Sequence, residues 1–148
     1  MTIQNWARNE RPVTDITKSG EMYCHGLGLK RIACFSHHDG FSGVMLGAEE
    51  LCCHIEFTQC HTHPVLPSPS AEDLLVFYIA DQQQWALSCH NMVEAGFIEV
   101  EAFNQYWQVN GLTYEDHDGY RIVLQNTTWP VVNVDREAIG QVDHVGDS

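Results

Sequence analysis

Residues 74–96, LLVFYIADQQQWALSCHNMVEAG, carry the reading that decides the fold. Residues 74–79 are an apolar run of strand length, rich in side chains that suit a pleated, half-buried surface. Asp81 then stands where a helix needs an acceptor for its unpaired first N–H groups. Trp85, Leu87, Cys89, Met92 and Val93 give the next segment an imperfect apolar face, and Ala95-Gly96 stops it. Residues 97–100, 112–115 and 120–125 read as three further strands, so the order is β-α-β-β-β.

The same order lies upstream. A strand ends near Arg11-Pro12, and Thr14 or Asp15 can cap a helix over about 15–25. Gly26 and Gly28 are expected to supply the positive-φ positions that stop it. Residues 30–35, 43–46 and 53–57 read as strands, separated by a tight turn at His38-Asp39-Gly40-Phe41 and a second turn over 47–50. Asp15 and Asp81 are 66 residues apart, and at an offset of 67 Ile55-Glu56-Phe57 falls on Ile122-Val123-Leu124. The chain therefore reads as α+β, two paired βαβββ modules whose curved sheets form a cleft, within one domain over 1–129. Module one covers about 3–58, a linker with Pro64, Pro67 and Pro69 about 59–72, and module two about 73–129. Residues 130–148, a short Val131-Val132-Asn133-Val134 run and then a polar acidic tail, are read as an appendage. His117-Asp118-Gly119-Tyr120 looks like the earlier His-Asp-Gly-Phe, but an offset of 79 assigns the likeness to turn chemistry and not to the duplication.

Composition excludes several classes. With 44% hydrophobic and 18% charged residues the chain is neither disordered nor of low complexity. Seven basic against 20 acidic residues leave a formal charge of −13, which repels phosphate backbones and anionic membrane surfaces, so no nucleic-acid or membrane partner is expected. The strongest apolar run, 74–80, is far short of the roughly 20 residues that cross a bilayer. MTIQNWARNERP at the N-terminus lacks the apolar stretch of a signal peptide, and the expected location is cytoplasmic. The six cysteines are accordingly read as reduced thiols.

The paired modules, with Asp15-Ile16 opening the first helix, Tyr23 followed by Gly26-Leu27-Gly28-Leu29, and Asp118-Gly119-Tyr120-Arg121-Ile122 before the last strand, resemble the vicinal oxygen chelate superfamily. That superfamily includes glyoxalase I, extradiol dioxygenases and bleomycin-resistance proteins. Arg11-Pro12-Val13, Phe103-Asn104-Gln105-Tyr106-Trp107 and the segment 119–126 are most similar to its uncharacterised bacterial glyoxalase-like subgroup. The resemblance implies a homodimer with cavities at or near the subunit interface. It also implies that metal-using members draw one ligand from the first and one from the last strand of each module, which here gives Arg8, Glu56, Leu75 and Val123. Only Glu56 among these can bind a divalent ion, so no cofactor is expected at that location.

Arg8 and Glu56 are expected to pair, a guanidinium fork meeting a carboxylate in place of the metal. His54 and Glu56 lie two apart on one strand and so share a face, as do Leu75 and Phe77, and Val123 and Gln125. If these six face inward, they line a mostly apolar pocket with a few polar groups, suited to a small organic ligand. The other reading is that the ion pair plugs a vestigial cavity. Glu56 beside His54 is the candidate catalytic base, although a carboxylate paired with Arg8 would be held ionised and poorly basic. Trp107, in the aromatic stretch 103–107, is the candidate stacking wall, or part of a flap sealing a dimer. Cys60-His61-Thr62-His63, with His54 and Cys52-Cys53, lacks zinc spacing, and Cys89-His90 reads as one buried and one exposed helix neighbour. The expected function is small-molecule binding of the bleomycin-resistance type without a metal centre. The alternative is a divalent-metal-dependent glyoxalase-like lyase or isomerase, or a dioxygenase, with Glu56 and His54 as its weak metal candidates.

Overall fold

The computed structural model of the chain describes residues 7–128; the expected strand residues before Ala7, Trp6 among them, and the appendage 130–148 lie outside the described residues. Module one runs β1 (Ala7–Pro12), α1 (Ile16–Leu27), β2 (Lys30–His38), β3 (Phe41–Gly47) and β4 (Cys53–Cys60). Module two runs β5 (Leu74–Tyr78), α2 (Gln82–Glu94), β6 (Ile98–Val100), α3 (Tyr106–Val109), β7 (Gly111–Glu115) and β8 (Arg121–Gln125). Each makes a four-stranded mixed sheet, ordered β1-β4-β3-β2 and β5-β8-β7-β6, in which first and last strands pair in parallel.

Both helix starts follow from the sequence. The Asp15 carboxylate accepts from Lys18 N–H at 3.0 Å, and Asp81 accepts from Gln84 N–H at 3.0 Å, each satisfying a donor that the helix leaves unpaired. Gly28 closes α1 at φ 69°, and Gly96 follows α2 at φ 98°. Gly26 departs from expectation: it is buried inside α1 and has no positive φ. A Cβ there would come within 2.9 Å of Met92 Sδ and 3.0 Å of Phe97, so glycine is required by the close approach of the two modules. The β2–β3 turn has Asp39 at φ 50° and Gly40 at φ 83°, as its Asp-Gly pair demands.

A single core unites the modules. Val44, Leu46, Ile55 and Phe57 from the first sheet, Tyr114, Ile122 and Leu124 from the second, and Met22, Tyr23, Cys89 and Met92 from the helices form one buried cluster. Both helices thus lie between the two sheets, α1 packing along α2. Each large side chain fully buried here contributes about 1.5–3 kcal/mol. On α2 the apolar face is narrower than expected: Trp85, Cys89 and Met92 turn inward, while Leu87 and Val93 are exposed because they lie off that stripe. Among the described residues no helix is long and apolar enough to cross a membrane.

Polar contacts then fix how the modules meet. Tyr23 donates to Asp116 at 2.7 Å in the core, and Asp116 also accepts the Asp118 and Tyr120 N–H groups at 2.8 and 3.0 Å. Tyr120 donates back to the Pro12 carbonyl at 2.8 Å. Burial raises the Asp116 carboxyl above its usual range, against the lowering effect of those three donors, and burial with Asp116 beside it raises the Tyr23 phenol further.

Candidate functional site

Alternation along the strands separates a core face from an outer face on each sheet. On β4, Ile55 and Phe57 enter the core, so His54, Glu56 and Thr58 take the other side. On β8, Ile122 and Leu124 enter the core, leaving Arg121, Val123 and Gln125 on the outer face. These outer faces, turned away from the helices, are the candidate binding surface.

In module one the outer face is charged. Arg8 Nη1 lies 3.8 Å from Glu56 Oε2, so the expected pair forms, although the Arg8 side chain is 56% exposed and that of Glu56 only 8%. The register sets Arg8 beside His54 and Glu10 beside Glu56. Glu10 is the neighbour that the sequence reading missed, and it changes the electrostatics. Burial raises the Glu56 carboxyl above the usual range, and the hydrogen bond and charge of Glu10 raise it further. Arg8 acts in the opposite direction and does not prevail, so the expectation that Arg8 would hold Glu56 poorly basic is corrected. Glu10 and Glu56 thus stand side by side on adjacent strands, within hydrogen-bond reach of each other. Gly47 gives His54 its place, since a Cβ there would meet His54 Cδ2 at 2.8 Å.

In module two, Val123 and Gln125 take the outer face, but Leu75 and Phe77 do not join them. They pair with Ile122 and Leu124 and pack against the core, whereas Leu74, Val76 and Tyr78 pair with Arg121, Val123 and Gln125. The cause is one residue of phase. The capping aspartates give an offset of 66, which carries Glu10 to Val76, while the last strands repeat at 67 and carry Glu56 to Val123. Leu75 as the counterpart of Arg8 lies one residue beyond the 66-residue repeat of the first strands, and in a strand one residue exchanges the faces.

The outer face of module two also holds two buried polar atoms without hydrogen-bond partners, Thr113 Oγ1 and Gln125 Oε1. Thr113 is 0% and Gln125 3% exposed, and Thr113 pairs with Val123 one pleat from Gln125. Gly111 lies directly across from Gln125, and a Cβ on it would overlap Gln125 Oε1. Thr113 could not be found from the sequence, because a threonine in a strand usually signals only β-propensity. Short α3 packs against β7, with Tyr106 and Trp107 edge to face at 4.9 Å. Burial, with the Tyr106 phenol nearby, raises the phenol of Tyr78, the outer-face residue that pairs with Gln125. Trp107 itself is half-buried.

Two other groupings carry less. Ser19 Oγ lies 2.7 Å from His117 Nε2, and His117 Nδ1 lies 3.5 Å from Asp118 Oδ1. The trio has the order of a hydrolase triad, but Ser19 is wholly buried within α1, and Asp118 already accepts from the Thr14 N–H and hydroxyl. It fastens the modules together. Cys60 accepts from His63 N–H at 3.4 Å and lies 3.5 Å from Thr62 Oγ1, contacts that lower its thiol, and His61 stacks on His37 at 4.4 Å.

The residues do not fit a metal centre of the superfamily type. Glu10 and Glu56 are two carboxylates on one sheet, but their counterparts Val76 and Val123 have no donor atoms. Among the described residues no three or more His, Cys, Asp or Glu side chains are grouped to hold a metal ion.

Residues 7–58 match the family described as the YycE-like N-terminal domain, and residues 72–126 match the YycE-like C-terminal domain. The uncharacterised protein YycE of Bacillus subtilis is 40% identical over 120 residues, covering 81% of this chain and 86% of that protein. The crystal structure of YycE, a protein of unknown function, superposes with a TM-score of 0.78, covering 88% of this chain and 94% of that one. At 17% identity, glyoxalase I of Leishmania major superposes with a TM-score of 0.65 over 99% of this chain and 100% of its own. The antibiotic-binding protein TnmS3 from Streptomyces sp. CB03234, also 17% identical, superposes at 0.59 over 84% and 97%. The fold is that of the vicinal oxygen chelate superfamily.

Proposed function

The chain belongs to the YycE-like family, and from that premise we propose that it is a cytoplasmic small-molecule binding protein that holds an organic ligand against the outer faces of its sheets without a metal centre. The observation that carries the reading is the pair of orphaned polar atoms, Thr113 Oγ1 and Gln125 Oε1. Leaving a buried hydrogen-bonding group unpaired costs about 1–3 kcal/mol, and such groups persist where a partner arrives from outside the chain. Val76, Tyr78, Val123 and the α3 aromatics supply the apolar surroundings of a small-molecule site. TnmS3, an antibiotic-binding protein, is an example of a small-molecule binder with this fold.

A homodimer completes this reading. In a single chain the helices occupy the space between the sheets, so the two outer faces do not face each other. A second copy brings the Arg8, Glu10, His54 and Glu56 face of one protomer to the Val76, Val123 and Gln125 face of its partner. All nine residues of β2 are exposed in the single chain, with Ile32 48%, Phe35 38% and neighbouring Phe41 44% accessible, an apolar edge that favours association. The Glu10–Glu56 pair favours one second reading, proton transfer to or from a bound substrate, since a carboxyl raised above its usual range by burial and a neighbouring carboxyl is suited to acid–base work.

The double variant Thr113→Val with Gln125→Met tests the binding reading. Ligand-free, it is expected to melt above the wild type, because two unpaired polar atoms are gone. In a thermal-shift screen of small organic metabolites it is expected to lose the stabilisation that wild type gains. A double variant that melts lower and still responds to each ligand would show that the pair serves the fold alone.

A further inference from the structure

A groove of about 530 Å³ opens where β1, the linker and the start of β5 meet over Tyr120. Its cation is Arg11, whose odd position on β1 turns it from the Arg8–Glu56 face toward the helices. The Arg11 Nε donates to Asn9 Oδ1 at 2.7 Å, and the guanidinium lies 4.8 Å above the Tyr120 ring, so the group is held in place. Its Nη1 is buried with no hydrogen-bond partner. An arginine offers five donors in a fixed fork, and the acceptor that fits the fork best is a carboxylate. None of the carboxylates bordering the groove takes that place. Glu10 is engaged with Glu56, and Asp73 accepts from Ser70 N–H at 2.7 Å in its own turn.

The rest of the lining limits the ligand further. Val65 and Leu66 stand 64% and 75% exposed side by side on the linker, with Pro12 and Pro69 extending the apolar wall. Asp73 adds one fixed negative charge at the rim, kept ionised chiefly by the Ser70 hydrogen bonds and aided by the Arg11 charge. A simple anion would meet repulsion from Asp73 and a simple cation repulsion from Arg11, whereas a molecule carrying both charges beside an aliphatic group satisfies all three walls.

We propose that this groove is a second ligand site, one that takes a free aliphatic α-amino acid with its carboxylate on the Arg11 guanidinium, its ammonium toward Asp73 and its side chain against Val65 and Leu66. Glu10 and Leu74 carry the rim of the groove onto the outer faces, but the proposed contacts, Arg11, Asp73, Val65 and Leu66, lie off them.

The test is a titration of the full chain with L-leucine, followed by ¹H–¹⁵N NMR. Amide resonances of residues 9–11, 65–66, 68 and 73–74 should shift saturably, with a Kd in or below the millimolar range, about 4 kcal/mol or more of binding free energy. L-Leucinamide, which lacks the carboxylate, and 4-methylpentanoate, which lacks the ammonium, should each bind about tenfold or more weakly. Arg11→Gln should abolish the shifts. Arg11→Lys, which keeps the charge and loses the fork, should weaken them severalfold. Asp73→Asn should remove the preference for leucine over 4-methylpentanoate. The Trp85 indole N–H, bonded to the Leu124 carbonyl at 2.9 Å, reports in each variant that the fold is intact. Absence of saturable shifts in the wild type at about 20 mM leucine, or equal affinity for leucine and leucinamide, or unchanged binding in folded Arg11→Gln, would overturn the proposal.

Discussion

Glu56 shows how far a single side chain was legible. Its place on the outer face and its approach to Arg8 follow from strand alternation and charge, and the structure has both, at 3.8 Å. Its proton affinity was not legible, because that depends on Glu10, which only the parallel register brings alongside. The consequence for stability has a definite sign. Folding raises the Glu56 carboxyl, so the stability it lends is fully present below the unfolded value of about 4.3 and is lost as pH rises through the raised folded value. Glu56→Gln is therefore expected to melt higher than wild type at pH 7 and to converge with it below about pH 4. Thermal denaturation across that range measures it, and a variant less stable at every pH would mean that Arg8 dominates after all. In the core, Tyr23→Phe leaves Asp116 buried with one donor fewer and is expected to cost about 1–3 kcal/mol in denaturant unfolding. A loss within error of zero would show that the bond holds nothing together.

At the scale of elements, strand and helix order could be read because the signals are local: Asp15 and Asp81 as caps, Gly28 as a left-handed stop, Asp39-Gly40 as a hairpin turn. What failed was phase and distance. Leu75 and Phe77 went to the wrong face because the repeat offset changes from 66 to 67 between first and last strands, and an apolar run such as residues 74–79 carries no alternation to reveal it. Gly26 looked like a helix stop, but its reason is a contact with module two that no local pattern contains. Short α3 escaped because four residues, YWQV, present too little periodicity to detect. Gly26→Ala accordingly separates the two explanations. Helix propensity alone predicts a gain of about 1 kcal/mol, whereas overpacking against Met92 and Phe97 predicts a net loss of about 1–3 kcal/mol. The structure requires the loss, and a stabilised variant in urea unfolding would contradict the packing of α1 against module two.

At the scale of the whole molecule, two sheets back onto one pair of helices, and the surfaces with chemistry on them face outward in a chain carrying a charge of −13. The proposed function builds on that arrangement: in the proposed dimer a second copy joins the charged face of module one to the apolar face of module two, with its orphaned Thr113 and Gln125. Native mass spectrometry of the full chain purified from its native source, without added metal, tests this account most directly. The account predicts a dimer of the 16.8 kDa chain that retains an organic small molecule, and loss of that molecule from the Thr113→Val, Gln125→Met protein. A monomer carrying nothing, or a chain with about one tightly held metal ion that is lost in Glu56→Ala, would contradict it.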